Sequence, residues 1–170
     1  EIRGDMVATT QLSCEGLLRQ HVQGEYYPWL ATSYDIQPDG KAITFELRKG
    51  VTFHDGTDFN AEAAAWNLQK YKDEGRAPTW EDIEVLDPYT VRVNMKTWRN
   101  TALNSFADGN FMVSPTAFEK HGLEWMRSNP VGTGPFLFDY FKRDVGARGV
   151  RNTDYWKKDM PYVDAYEISY

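Results

Sequence analysis

Residues 43–67, ITFELRKGVTFHDGTDFNAEAAAWN, constrain the fold more than any other part of the chain, because the hydrophobic period changes within one short span. Ile43, Phe45 and Leu47 alternate with Thr44, Glu46 and Arg48, the period-2 pattern of a strand with one face inward and one in water. Lys49-Gly50 closes that run, and Asp55-Gly56 is a turn signal. Asn60 stands where its side chain accepts from the free amides of a following helical turn, and Ala61-Glu62-Ala63-Ala64-Ala65 is strong helix sequence. Glu62 in the first turn also suits the helix dipole. The helix is expected to run to about Asp73 and to stop near Gly75.

Around this span the chain reads as α and β in mixed order. Two β-like runs, 29–36 and 42–48, flank Pro38-Asp39-Gly40, where Pro fixes φ and Gly tolerates φ > 0, so they form a hairpin. Ile83–Leu86 and Val91–Met95 flank Asp87-Pro88-Tyr89-Thr90 as a second hairpin. A short helix is expected near Thr101–Ala107. Ser114-Pro115 has the form of an N-cap followed by Pro at the first helical position, leading a helix to His121. Phe136–Lys142 and Val163–Tyr170 read as strands. At the other end, the spacing of Leu12, Leu17, Leu18 and Val22 predicts a short helix over 12–24 that stops near Gly24. Phe45, Leu47, Val51, Phe53, Phe59, Trp66, Leu68, Val91, Val93 and Met95 are the expected core of the region from about 25 to 128.

The 170 residues are enough for one ordinary core or two small ones, and 41% hydrophobic with 26% charged residues is globular composition. The formal net charge of -6, without a basic run, argues against nucleic acid as a partner. No apolar run approaches the ~20 residues that span a bilayer. Glu1-Ile2-Arg3-Gly4-Asp5 is polar, unlike a signal peptide, so the sequence is expected to begin at or after a processing or cloning boundary. A lone Cys14 excludes an internal disulfide.

Catalytic and metal readings find little footing. His54-Asp55-Gly56 pairs a His with a carboxylate, but neighbours on an extended segment point to opposite faces and Asp-Gly is first a turn. His21, His54 and His121 lack metal-ligand spacing, and no serine sits in a G-x-S-x-G elbow. Gly132-Thr133-Gly134 is followed by Pro135 and a β-like run, not by the helix N-terminus that a phosphate loop requires; it reads as a tight backbone passage. The acidic stretch Glu62, Asp73, Glu74, Glu81, Asp82 and Glu84 reads as a solvated face. No catalytic residue, metal ligand or cofactor is assigned. Aromatic residues make up 15% of the chain, a density that a well-stocked core explains and that also raises an aromatic carbohydrate-binding module as an alternative; helices at 61–73 and 115–121 disfavour the latter. A small hydrolase is a third reading without a nucleophile–base constellation.

Three stretches occur together in one order: LRKGVTFHDGTDFNAE, Asn129-Pro130-Val131-Gly132-Thr133-Gly134-Pro135-Phe136, and Arg151-Asn152-Thr153-Asp154-Tyr155-Trp156. From about Tyr27 to Tyr170 the chain resembles the bacterial extracellular solute-binding proteins of ABC importers, family 5, the peptide/nickel type. The resemblance implies an α+β fold forming the N-terminal portion of a two-lobed periplasmic-binding-protein-like architecture. In it, residues 1–24 and 129–170 are part of the main lobe, with a remnant of an opening strand in Glu1–Thr9, and 25–128 are an inserted hairpin-rich subdomain. It implies capture of a small solute (a peptide, a metal complex or a sugar), delivery to ABC permease subunits at the membrane, and a periplasmic or cell-surface lipoprotein location. The chain is then a fragment of a longer protein, with an uncovered apolar surface and strands through which copies self-associate.

The resemblance also implies where a ligand wall lies: the loop after the first long helix, the segment before Ser114-Pro115, and the start of the Gly-rich turn. These places hold Arg76 and Trp80, Phe111 and Met112, and Asn129 and Thr133. An Arg beside a Trp suits a carboxylate-bearing solute, with the guanidinium on the acid and the indole on apolar parts. The plainer alternative makes Arg76 a solvated helix-end charge and Trp80 an ordinary core residue.

Overall fold

A computed structural model describes residues 10–107, 109–142 and 144–169. They fall into two compact units: Gly16–Lys49 with Phe59–Met112, and Glu1–Glu15 with Gly50–Asp58 and Val113–Tyr170. The loop 50–58 and residues 113–128 therefore group with the C-terminal segment, and 16–24 with the hairpins, at positions different from the 24/25 and 128/129 boundaries that the resemblance implies. The expected opening strand in Glu1–Thr9 lies outside the described residues.

The first unit is built on hairpins. Strands β1 (Leu18–Gln20) and β2 (Tyr26–Pro28) pair antiparallel, with Gly24 at φ 92 in the turn. β3 (Ala31–Ile36), β4 (Ala42–Leu47), β5 (Trp80–Asp87) and β6 (Thr90–Met95) form an antiparallel sheet in the order β3-β4-β6-β5. In the β3–β4 turn the Gly40 amide donates to the Gln37 carbonyl at 2.8 Å with Gly40 at φ 68, as Pro-Asp-Gly predicts. Ile43, Phe45 and Leu47 are buried, and Val91, Val93 and Met95 beside them on β6 complete the inward face. Helix α1 (Ala61–Asp73) lies against β5 and β6; Asn60 Oδ1 accepts from the Ala63 amide at 3.0 Å, and Gly75 at φ 75 follows its end. The short α2 (Asn104–Ala107) lies against β1.

The expected helix over 12–24 is corrected: residues 10–13 are helical and the chain then turns into β1–β2. Leu17 and Leu18 are consecutive and both buried, which one stripe of a surface helix does not achieve, and Val22 is 94% exposed at the hairpin tip. Gly16 explains why the helix cannot continue, since a Cβ there would stand 2.5 Å from the Ala107 carbonyl oxygen. Of the expected core, Trp66 is only half-buried, while Val51 and Phe53 are buried in the other unit.

The second unit holds α3 (Pro115–Ser128) and a sheet of β7 (Phe136–Lys142), β8 (Gly146–Arg151) and β9 (Ala165–Ser169), antiparallel in that order. Ser114 caps α3, its Oγ accepting from the Ala117 amide at 3.0 Å. The helical pattern breaks at Gly122 (φ 77, ψ 172), next to the expected end at His121, and then resumes to Ser128. β8 is an element that the sequence reading lacks. GARGVR has few strand-forming side chains, and its glycines serve close approach: a Cβ on Gly149 would meet the Tyr166 ring at 2.4 Å.

Candidate functional site

Arg76 and Trp80, which the resemblance implies as neighbours on a ligand wall, occupy different environments. Trp80 is 1% exposed and stacks on Phe106 at 4.9 Å with an interplanar angle of 6°. Phe45 packs on the other side of this cluster, 4.7 Å from Phe106, and Tyr71 lies 5.6 Å from Trp80. Trp80 is thus a core residue of the hairpin unit, the plainer of the two sequence readings. The column continues outward: the Arg76 guanidinium sits 4.4 Å from the Tyr71 ring centroid. Its Nη2 donates to the Gly109 carbonyl at 2.9 Å, and Nη1 lies 3.7 Å from Glu74 in an exposed pair of little energetic weight. The Gly75 turn and α1 position Arg76, and its bond to Gly109 ties it to the segment that leads to half-buried Phe111. Two of the three implied wall places are therefore brought together within this unit. Met112, next along the chain, is fully buried.

Asn129 and Thr133 belong to the second unit. Asn129 is the C-cap of α3 and half-buried, its Nδ2 donating to the Trp125 carbonyl at 3.0 Å. Thr133 is 1% exposed and donates to Glu15 Oε2 at 3.0 Å. Trp80, Met112 and Thr133 thus lie in the interior, not on a surface that a solute reaches; Arg76, Phe111 and Asn129 keep accessible area.

What the second unit does assemble is its sequence motifs. Glu15 is buried, and its carboxyl oxygens accept from Thr133 Oγ1 (3.0 Å), Tyr155 Oη (2.7 Å) and Trp156 Nε1 (2.9 Å), so N-P-V-G-T-G-P and R-N-x-x-Y-W meet on one side chain. The Gly-rich passage runs against the N-terminal segment: a Cβ on Gly132 would lie 2.3 Å from the Ser13 carbonyl oxygen, and one on Gly134 2.6 Å from that of Leu12. The F-H-D-G loop joins from a third side. The His54 amide donates to the Gly132 carbonyl at 2.8 Å, and His54 Nε2 to the Gly134 carbonyl at 2.9 Å, where Asn152 Nδ2 also donates at 3.1 Å. Asp55 accepts from Thr57 Oγ1 at 2.6 Å and Ser114 Oγ at 2.5 Å, linking the loop to the cap of α3.

Electrostatics follow from this packing. Burial pushes the Cys14 thiol up to about 12, with neighbouring Glu15 adding to the effect, so Cys14 is a protonated, inert thiol. Burial holds the His54 imidazole below its ordinary value, against the smaller opposing effects of the Gly134 hydrogen bond and Asp55. Burial raises Asp55, but the hydrogen bonds from Ser114 and Thr57 outweigh it and leave the carboxyl lowered. Among the described residues no group of three or more His, Cys, Asp or Glu side chains is placed to hold a metal ion. No helix of the described residues is long and apolar enough to cross a membrane. Glu15 is the organising residue that sequence reasoning missed; its one signal is an acidic residue set directly between Cys14 and the apolar Gly16-Leu17-Leu18.

The chain is similar to known proteins over most of its length. Residues 25–170 match the family described as bacterial extracellular solute-binding proteins, family 5 Middle. The glutathione-binding protein GsiB of Shigella flexneri is 36% identical over 144 residues, covering 80% of this chain and 28% of that protein. Its counterpart from Escherichia coli K12 is 35% identical with the same coverage. Among solved structures, the ABC transporter-associated periplasmic binding protein DppA of Helicobacter pylori, in complex with the peptide STSA, matches with a TM-score of 0.85 at 26% identity. That match covers 98% of this chain and 38% of DppA. The agropinic acid complex of AgaA from A. tumefaciens R10 also gives 0.85, at 27% identity, over 96% and 34% of the two chains. The chain spans about 28% of the length of the curated relatives it matches. A mixed α/β fold rich in antiparallel hairpins, the three motifs bound to one another, and a match over residues 25–170 place the chain in family 5 of the bacterial extracellular solute-binding proteins.

Proposed function

We propose that this chain supplies one wall of the solute site in an extracytoplasmic binding protein that captures a small carboxylate-bearing solute, peptide-like in character, and passes it to ABC permease subunits. The observation that carries this reading is the family match over residues 25–170, with relatives named for glutathione and solved neighbours holding a peptide or an opine. The protein acts by binding and not by catalysis, in the periplasm or at the cell surface. The family match replaces the carbohydrate-module reading, which rested on aromatic content alone.

Of the implied wall residues, Arg76 and Phe111 in the hairpin unit and Asn129 in the second unit keep accessible area, while Trp80, Met112 and Thr133 are buried in their own units. Arg76 is oriented before any solute arrives. One nitrogen is held by the Gly109 carbonyl and the plane rests on Tyr71, which lowers the entropic cost of presenting the remaining donors to a carboxylate.

The experiment is calorimetric titration of the full-length protein with glutathione, short peptides, an opine and a histidine–nickel complex. A saturable response to a carboxylate-bearing member of this set is expected, and Arg76→Ala should weaken it about tenfold, or 1.4 kcal/mol. Binding unchanged in Arg76→Ala removes Arg76 from the site; no saturable response to any carboxylate-bearing member of the set, against saturable binding of an uncharged oligosaccharide titrated alongside, overturns the solute class.

A further inference from the structure

His54 is the one histidine among the three motifs, and its surroundings suit a single protonation state. Its Nε2 faces the Gly134 carbonyl at 2.9 Å, which can only accept, so the ring hydrogen resides on Nε2. Its Nδ1 is buried and has no hydrogen-bond partner among the described residues. A second ring proton would therefore place a donor in the interior without an acceptor, a costly arrangement. His54 ties loop 52–58 to the glycine passage twice: its backbone amide donates to the Gly132 carbonyl and its ring Nε2 to the Gly134 carbonyl.

We propose that His54 is an acid-sensitive latch: while neutral it holds loop 52–58 to residues 132–134, and taking up a proton releases that loop from the Gly-rich passage.

The charged and titratable groups on the segments around the ring do not offer Nδ1 an escape. On its own loop, Asp55 is committed to Thr57 and Ser114, and Asp58 is exposed. On the N-terminal segment, Glu15 holds Thr133, Tyr155 and Trp156, and the Cys14 thiol stays protonated. Beside Asn152, Arg151 pairs with Asp164 at 2.9 Å and Asp154 is exposed. The sign follows from burial, which lowers the folded His54 below its ordinary 6.5. The stabilisation is fully present above 6.5 and is lost as pH falls through the folded value, since the open form binds the proton more readily. The latch depends on the fold alone and is independent of which solute the protein carries.

The test is NMR of the intact protein with labelled histidine, combined with amide hydrogen exchange expressed as protection factors at pH 7.5 and 5.0. A neutral Nε2–H ring at pH 7.5 is expected, with protection of the His54 amide, which donates to the Gly132 carbonyl, falling ~10-fold at pH 5.0. His54→Gln keeps an amide donor within reach of Gly134 but does not titrate, and should make that protection insensitive to pH; His21→Gln should leave the wild-type response intact. A ring that titrates at or above 6.5, a hydrogen on Nδ1 at neutral pH, or a pH response that persists in His54→Gln overturns the proposal. Should His54→Gln fail to fold, the wild-type ring titration and tautomer decide alone.

Discussion

Tyr155 Oη donates to Glu15 Oε1 at 2.7 Å, joining residues 140 positions apart in the chain. The bond makes the second unit depend on its first few described residues, because Glu15 is also where Thr133 and Trp156 converge. Tyr155→Phe removes one donor from a buried carboxylate and should cost about 1.5–3 kcal/mol. Glu15→Ala strands all three donors and should cost more, about 3–5 kcal/mol. Urea unfolding of both variants checks the ranking; equal stability of Glu15→Ala and wild type would show that the cluster is incidental.

Gly132 and Gly50 separate two reasons for glycine. At Gly50 nothing lies within 4 Å of a built Cβ, and only φ +74 disfavours a side chain, so Gly50→Ala should cost about 1 kcal/mol. At Gly132 the added methyl would stand 2.3 Å from the Ser13 carbonyl oxygen and 2.7 Å from Cys14 Cα, both backbone atoms that cannot move alone. Gly132→Ala should therefore cost about 3 kcal/mol or more. Cys14 reports the damage: its thiol, held at about 12 by burial and Glu15, should resist alkylation at pH 8 in wild type and react in Gly132→Ala.

The same contrast divides the Arg76–Trp80 pair. Trp80→Ala empties the stack between Phe106 and Tyr71 and should lower stability by about 3–5 kcal/mol. Arg76 is a half-exposed charge, so Arg76→Ala should change stability by less than about 1 kcal/mol. Thermal denaturation of both variants separates a core residue from a surface one. A mild Trp80→Ala would show that the stack contributes little.

How far the sequence led depended on whether the signal was local. The 43–47 alternation, the Asn60 and Ser114 caps and the Pro38-Asp39-Gly40 turn are decided within a few residues, and all appear as expected. Residues 12–24 failed because Leu17 and Leu18 are buried by partners distant in the chain, which helical spacing cannot register. β8 failed for a similar reason, its glycines being chosen by the Tyr166 ring and the Ile168 carbonyl on β9. In the candidate site, the resemblance singled out Arg76 and Phe111 by their place in the chain, while the interior position of Trp80 and Thr133 depends on Phe106 and Glu15, residues without any local signature.

Asp55 and Ser114 give the acid limb of stability. Ser114 Oγ donates to Asp55 Oδ2 at 2.5 Å while accepting from the Ala117 amide, so one hydroxyl serves both the loop and the helix start. Ser114→Ala should cost about 1 kcal/mol for the lost cap alone, and it also deprives Asp55 of its donor. Burial raises the Asp55 carboxyl, but the bonds from Ser114 and Thr57 lower it further, so the folded value lies below the ordinary 3.8. A lowered carboxylate stabilises the fold fully above 3.8, and the contribution is lost as pH falls through the folded value. Comparing urea midpoints of wild type and Asp55→Asn from pH 6 to 2.5 isolates this group from the other carboxylates. The wild-type advantage should be constant down to about 4 and shrink below it. An advantage that grows on acidification would reverse the sign and show that burial, not the Ser114 and Thr57 bonds, controls Asp55.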